Sequence, residues 1–213
     1  MTIGDKTFPS PFNIIPEAAS GQALGDPTHF WTIYGYNAGD GWHLISETVL
    51  GGNAASITFS SIPDDYRTLV LNIQARTDRA AENDTIFVNY NGDSTDGHYD
   101  WLWWRCNGIS AGDIGVARAT TTMALSNCAA ANSTGNNFGI SEITIPGYAR
   151  NDRQKQAYAR TARFGNVASD ADLYYSLRTG RWRDTDPITS ILLVPQTGPN
   201  FVSGSIFTLY GIN

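Results

Sequence analysis

Charge is scarce in this chain. Of 213 residues, only 16% are Asp, Glu, Lys or Arg, against about a quarter in an average soluble domain. The polar surface must therefore be built largely from Ser, Thr, Asn and Gly. There are only two cysteines, Cys106 and Cys128. Their spacing fits no zinc pattern and two thiols make no disulfide scaffold; each reads as a small buried apolar residue, with a bond between them left open. The three histidines, His29, His43 and His98, have no His-x-x-x-His spacing and no nearby Cys, so no zinc site is expected. No apolar run approaches the ~18 residues of a spanning helix, and residues 1–6 carry no secretory h-region. The expectation is a protein made in the cytoplasm, without membrane insertion. Gly-x-Ser-x-Gly elbows, P-loops and strand-borne Gly-x-Gly-x-x-Gly are lacking too, so neither catalysis nor a cofactor is expected.

The net charge of −6 speaks against nucleic acid, because phosphate binding needs clustered cations. Arginines do gather late in the chain, at 150, 153, 160, 163, 178, 181 and 183. They are read as solvated strand faces and inter-subunit salt bridges rather than a basic stripe.

What is present is a β pattern. Residues 1–40 stand apart, with Pro9, Pro11, Pro16 and Pro27 among apolar residues. Proline favours extended backbone, so this segment is expected to be an extended N-terminal arm. Phe8, Phe12, Ile14, Ile15, Phe30 and Trp31 are its candidate docking residues, against its own body, a sister subunit or a different protein. From residue 41 onward the expectation is all-β, an antiparallel β-sandwich of jelly-roll-like type. Strands are expected at 42–50, 56–60, 68–76, 85–90, 138–145, 155–164, 172–182, 187–194 and 205–212, about ten in all. In 138–145 the apolar phase switches between Ile140 and Ile143, which suggests a β-bulge. Residues 116–131 leave room for a short helix. Asn91-Gly92 reads as a hairpin-type turn. The last strand is apolar on both parities, as a strand covered on both faces would be.

Two loci invite a functional reading. Asn89, Asn91 and Asp93 faintly match a calcium loop but lack the bidentate Glu; a polar turn is the favoured reading and no metal is assigned. Trp101-Leu102-Trp103-Trp104 is the densest aromatic cluster. Strand alternation places Trp101 and Trp103 on one face and Leu102 and Trp104 on the other. Core or subunit interface is favoured. The alternative is a carbohydrate-binding module or adhesin in which Trp103, Trp104 and Arg105 hold a host glycan.

Three blocks carry a resemblance: Trp42–Leu50 followed by Ala55–Pro63 and Tyr66–Leu69; the Asn91-Gly92-Asp93-Ser94 turn; and Trp182, Ile188–Ile191 and Asn200–Ile212. Across about residues 42–212 the chain resembles a class of structural proteins of tailed-bacteriophage virions. The resemblance implies a minor tail, appendage or head-decoration role in the virion. It also implies other capsid or tail proteins as partners, a homo-oligomer with a trimer favoured, and a host surface glycan as a further contact. It supplies no catalytic motif, and the arm lies outside it.

Overall fold

A computed structural model describes residues 41–108, 110–165 and 173–213. The anticipated arm, residues 1–40, lies outside the described residues. The remainder is all-β, with twelve strands and, among the described residues, no helix.

The strands form two antiparallel sheets of unequal size. The larger has the order β1 (Trp42–Val49), β12 (Ile206–Ile212), β3 (Thr68–Ala75), β8 (Gly139–Pro146), β9 (Lys155–Phe164), β10 (Leu173–Trp182), β5 (Tyr99–Asn107) and β6 (Ser110–Thr120). The smaller runs β2 (Ile57–Phe59), β11 (Ile191–Pro195), β4 (Asn83–Tyr90) and β7 (Met123–Ala129). The C-terminal strand β12 is paired on both sides, with β1 and β3. This locks the last strand into the sheet, but its two faces are not both covered: Phe207 and Leu209 face the core, while Ile206, Tyr210 and Ile212 stand half-buried on the outer face.

The core lies between the sheets. Leu69, Leu71 and Ile73 of β3, Ile143 and Ile145 of β8, and Phe207 and Leu209 of β12 meet Ile86, Val88, Ile191 and Leu193 of the small sheet. Strand β7 is buried along its whole length, although it is an edge strand of its own sheet, because it lies on the large one. Two glycines permit that approach. A Cβ at Gly139 of β8 would sit 2.8 Å from the Cys128 Cα of β7, and one at Gly180 of β10 would sit 2.6 Å from the Met123 thioether.

Local signals were met in part. Asn91 and Gly92 both have positive φ (53° and 68°), and Asp93 N–H donates to Tyr90 C=O at 2.9 Å, as a hairpin-type turn requires. The flanking strands do not pair with each other, however. β4 belongs to the small sheet and β5 to the large one, so the turn starts a crossing between sheets. Asn91 fixes the crossing, because its Oδ1 accepts from Thr189 N–H and Ser190 N–H at 2.8 and 3.1 Å.

Two expectations are corrected. β8 pairs with β3 in unbroken register from Gly139 to Pro146, so the phase switch is no bulge. Ile143 and Ile145 face the core while Ile140 faces the other way and is exposed; the strand is apolar on both faces. Residues 116–131 hold no helix, since they complete β6 and form β7. The short side chains of Ala124, Ser126 and Ala129 are what an edge strand needs to press onto another sheet.

A loop after β7 is shaped by one side chain. The Arg76 guanidinium donates to the carbonyls of Ala131, Ser133, Thr134 and Asn137 at 2.7–3.1 Å. This satisfies backbone acceptors that otherwise have no ladder partner.

Candidate functional site

The alternation of the large sheet has an unusual consequence. Every large hydrophobic side chain that is exposed among the described residues lies on the outer face of this one sheet. They are Trp42, Leu44 and Val49 on β1, Leu102 and Trp104 on β5, Ile114 and Val116 on β6, Ile140 on β8, Tyr158 and Phe164 on β9, and Leu173, Tyr175 and Leu177 on β10. Strand registers confirm the shared face. Leu44, Tyr210, Val70, Thr144, Tyr158, Thr179, Leu102 and Val116 stand side by side across all eight strands. Ile114 and Val116 are 77% and 60% exposed. A polar band interrupts the face, where Arg160 pairs with Glu142 at 3.0 Å and Thr208 donates to Glu47 at 3.1 Å. Glu142, Arg160 and Thr208 of this band line a trough of about 560 Å³ together with Ile140, Tyr175 and Ile206. Monomeric proteins seldom gather this many exposed large apolar side chains on one face.

The opposite, inner face changes character along β9 and β10. Toward one end it is apolar, with Ala157, Ala159 and Trp182. Toward the other it becomes polar. Ser126, Ser141 and Thr161 form a buried hydroxyl chain, at 2.6 and 2.8 Å. Beyond it lie two nearly buried guanidiniums. Arg163 donates Nε–H to Asn127 Oδ1 at 3.0 Å and sits 5.1 Å from the Tyr174 ring centroid. Arg178 donates to Ala124 C=O, the Tyr174 hydroxyl and Ser176 Oγ at 2.9, 2.9 and 3.3 Å. Both border a cleft of about 600 Å³ whose other walls include Glu82, Asn83, Asn127, Arg105 and Asp113.

The inter-sheet crossing supplies a third cluster. Asp93 accepts from Trp182 Nε1–H at 2.6 Å, from Thr95 N–H at 2.9 Å and from His98 Nδ1–H at 2.8 Å. Burial pushes its carboxyl upward, but these donors outweigh that and hold it well below the usual carboxylate range. Its contact with Tyr99 runs through the backbone, for the Tyr99 hydroxyl donates to Asp93 C=O at 3.0 Å. Burial raises that phenol to about 12. Ligand atoms of Asp93, His98 and Asp184 lie within 4.8 Å of one another. Asp93 Oδ2 is already engaged by the Trp182 and His98 donors, so the cluster reads as a structural clasp. The calcium-like spacing dissolves in the same way: Asn89 Oδ1 accepts from Thr122 and Asn91 Oδ1 from Thr189, so the oxygens do not converge.

The candidate ligand trio is divided. Trp103 and Arg105 face inward, Trp103 standing across from Arg178 and Arg105 across from Ser176. Trp104 faces outward, across from Leu177 and Ile114. Arg105 is held by Asp113 at 2.6 Å. Trp103 leans on Trp101, with ring centroids 4.9 Å apart. No single ligand can touch all three side chains. The candidate docking residues Phe8, Phe12, Ile14, Ile15, Phe30 and Trp31 lie outside the described residues. Both cysteines are free, Cys128 buried and Cys106 half-buried.

The late arginines form no stripe. Arg150 and Arg153 share Asp152, Arg181 and Arg183 share Asp100, and Arg163 and Arg178 turn inward. Asp100 is held well below the carboxylate range, chiefly by the Arg183 hydrogen bond, with burial opposing and Arg181 adding to it.

Sequence reasoning missed the outer face and Arg178. Their signal was present: β9 and β10 carry Tyr158, Phe164, Leu173, Tyr175 and Leu177 on one parity and Ala157, Ala159 and Gly180 on the other. Small residues are what a closely approaching second strand requires. No family model, curated protein or solved structure matches this chain.

Proposed function

We propose that the chain is a structural subunit of a tailed-phage virion that assembles through the outer face of its large sheet. The observation that carries the reading is the gathering of all thirteen exposed large hydrophobics of the described residues on that one face. The occupant is further copies of the same chain. Eight strands about 4.8 Å apart, each presenting roughly 25 Å of length, offer on the order of 1,000 Å². A stable interface takes about 800 Å² from each partner, and interfaces between identical subunits are the more apolar kind. The virion assignment itself rests on the resemblance of residues 42–212, which also favours three copies. Residues 1–40 are assigned the anchoring role on capsid or tail.

The test is light scattering coupled to size exclusion on the full chain, with parallel immunodetection in purified particles. The expected result is a mass of three chains and a positive signal in virions. A monomer at micromolar concentration would overturn the interface, and absence from virions would overturn the virion role.

A further inference from the structure

We propose that the cleft at the polar end of the sandwich binds a carboxylated saccharide, with its carboxylate on Arg178 and its hydroxyls on Glu82 and the Asn83 amide. This site is independent of whatever covers the outer face.

Arg178 makes the first half of the case. It is only 7% exposed, and its three protein acceptors, a serine hydroxyl, a phenol and a backbone carbonyl, are all neutral. No carboxylate of the described residues lies within ion-pair distance of it. A buried cation without an anion is costly, and a guanidinium has five N–H donors, of which these contacts engage three. Two remain, on a side chain that borders the cleft. Planar, paired recognition of a carboxylate is what a guanidinium does best.

Glu82 makes the second half. Its Oε2 is buried and receives no protein hydrogen bond, and it borders the same cleft. The cleft is thus bordered by a cation without an ion-pair partner among the described residues and by a carboxylate with one buried oxygen that lacks a donor. A simple inorganic anion answers only the first. A ligand that is anionic at one point and rich in O–H donors elsewhere answers both. Asn83 adds the donor end of its amide, while Asn127, already bonded to Arg163 and Asn83, holds the wall. The volume of about 600 Å³ is in the ~300–1,000 Å³ range of small-molecule sites. Arg163 stacked on Tyr174 stiffens one wall, which lowers the ordering cost of binding.

The experiment is calorimetric titration of the full chain with tri-galacturonic acid, its methyl ester, inorganic phosphate and an Asp/Glu-rich peptide. The acid is expected to bind, and the methyl ester, which keeps the hydroxyls and loses the charge, at least tenfold more weakly. Arg178→Gln is expected to weaken the acid at least tenfold. Because that variant risks misfolding, Glu82→Ala provides the second arm, with affinity several-fold weaker and an unchanged circular dichroism spectrum. No binding of the acid at millimolar concentration would overturn the proposal, as would equal binding of the ester, equal binding of phosphate or peptide, or full affinity in Glu82→Ala.

Discussion

Replacing Trp182 by Phe should cost the fold about 3 kcal/mol. Trp182 closes the inner end of β10, is 2% exposed, and meets Tyr90 of the small sheet edge-on at 5.8 Å. Its Nε1–H donates to Asp93 Oδ2 at 2.6 Å, which ties the inter-sheet crossing to the large sheet. A hydrogen bond to a charged acceptor contributes about 1.5–3 kcal/mol. Asp93 keeps the Thr95 and His98 donors, so the lower half of that range applies. Loss of the pyrrole edge leaves a small cavity, adding about 1–2 kcal/mol by the scaling of large-to-small core changes. Urea unfolding followed by circular dichroism measures the total. A double-mutant cycle with Asp93→Asn isolates the contact, for which a coupling of about 1.5 kcal/mol is expected. The pH dependence has a definite sign. Asp93 is held below its unfolded value, so its contribution is complete above pH ~4 and is lost as the pH falls through the folded value. The gap between wild type and Trp182→Phe should therefore narrow in acid. A total cost below 1 kcal/mol, or additive single variants, would refute the clasp.

Three further perturbations follow from the same geometry. Val116→Asp, on the uncovered face, should shift folding stability by no more than about 0.5 kcal/mol yet reduce the light-scattering mass to one chain; an unchanged oligomer would place the interface elsewhere. Asp100→Asn removes the shared carboxylate of Arg181 and Arg183, partners that are well solvated, and should cost about 1–2 kcal/mol. Because the Asp100 carboxyl is depressed, that cost should be full above pH ~4 and shrink below it, as chemical denaturation at several pH values would show. Gly139→Ala should destabilise more than Gly180→Ala in thermal melts, since the first methyl meets β7 backbone and the second a flexible thioether; the cost of overpacking is about 1–3 kcal/mol.

The sandwich was legible because most strands carry period-two patterning bounded by turn residues, and β1, β3, β9, β10 and β12 fall where that pattern places them. The faces were not. On β9 the inner residues are Lys155, Ala157, Ala159, Thr161 and Arg163, while Tyr158 and Phe164 point out. Alternation says which residues share a face, and hydrophobicity normally says which face is inside. That second step fails when the outer face is itself apolar. Lys155 shows how the inner face tolerates charge: its ammonium donates to Arg153 C=O and Thr185 C=O at 3.0 and 2.7 Å, and burial lowers its pKa. Partner atoms 30 residues away are invisible to a local reading. The same holds for the cleft, since Glu82, Arg105 and Arg178 meet only after β4, β5 and β10 are placed in two different sheets. Trp103, Trp104 and Arg105, adjacent in sequence, were separated by strand alternation alone.

The decisive measurement is to locate the chain in images of the purified particle at a resolution that traces strands. Copies are expected at symmetry-related positions on capsid or tail, with the outer face of each eight-stranded sheet covered by neighbouring copies. Particles that lack the chain, or copies whose outer face stays open to solvent in the assembly, would contradict that expectation.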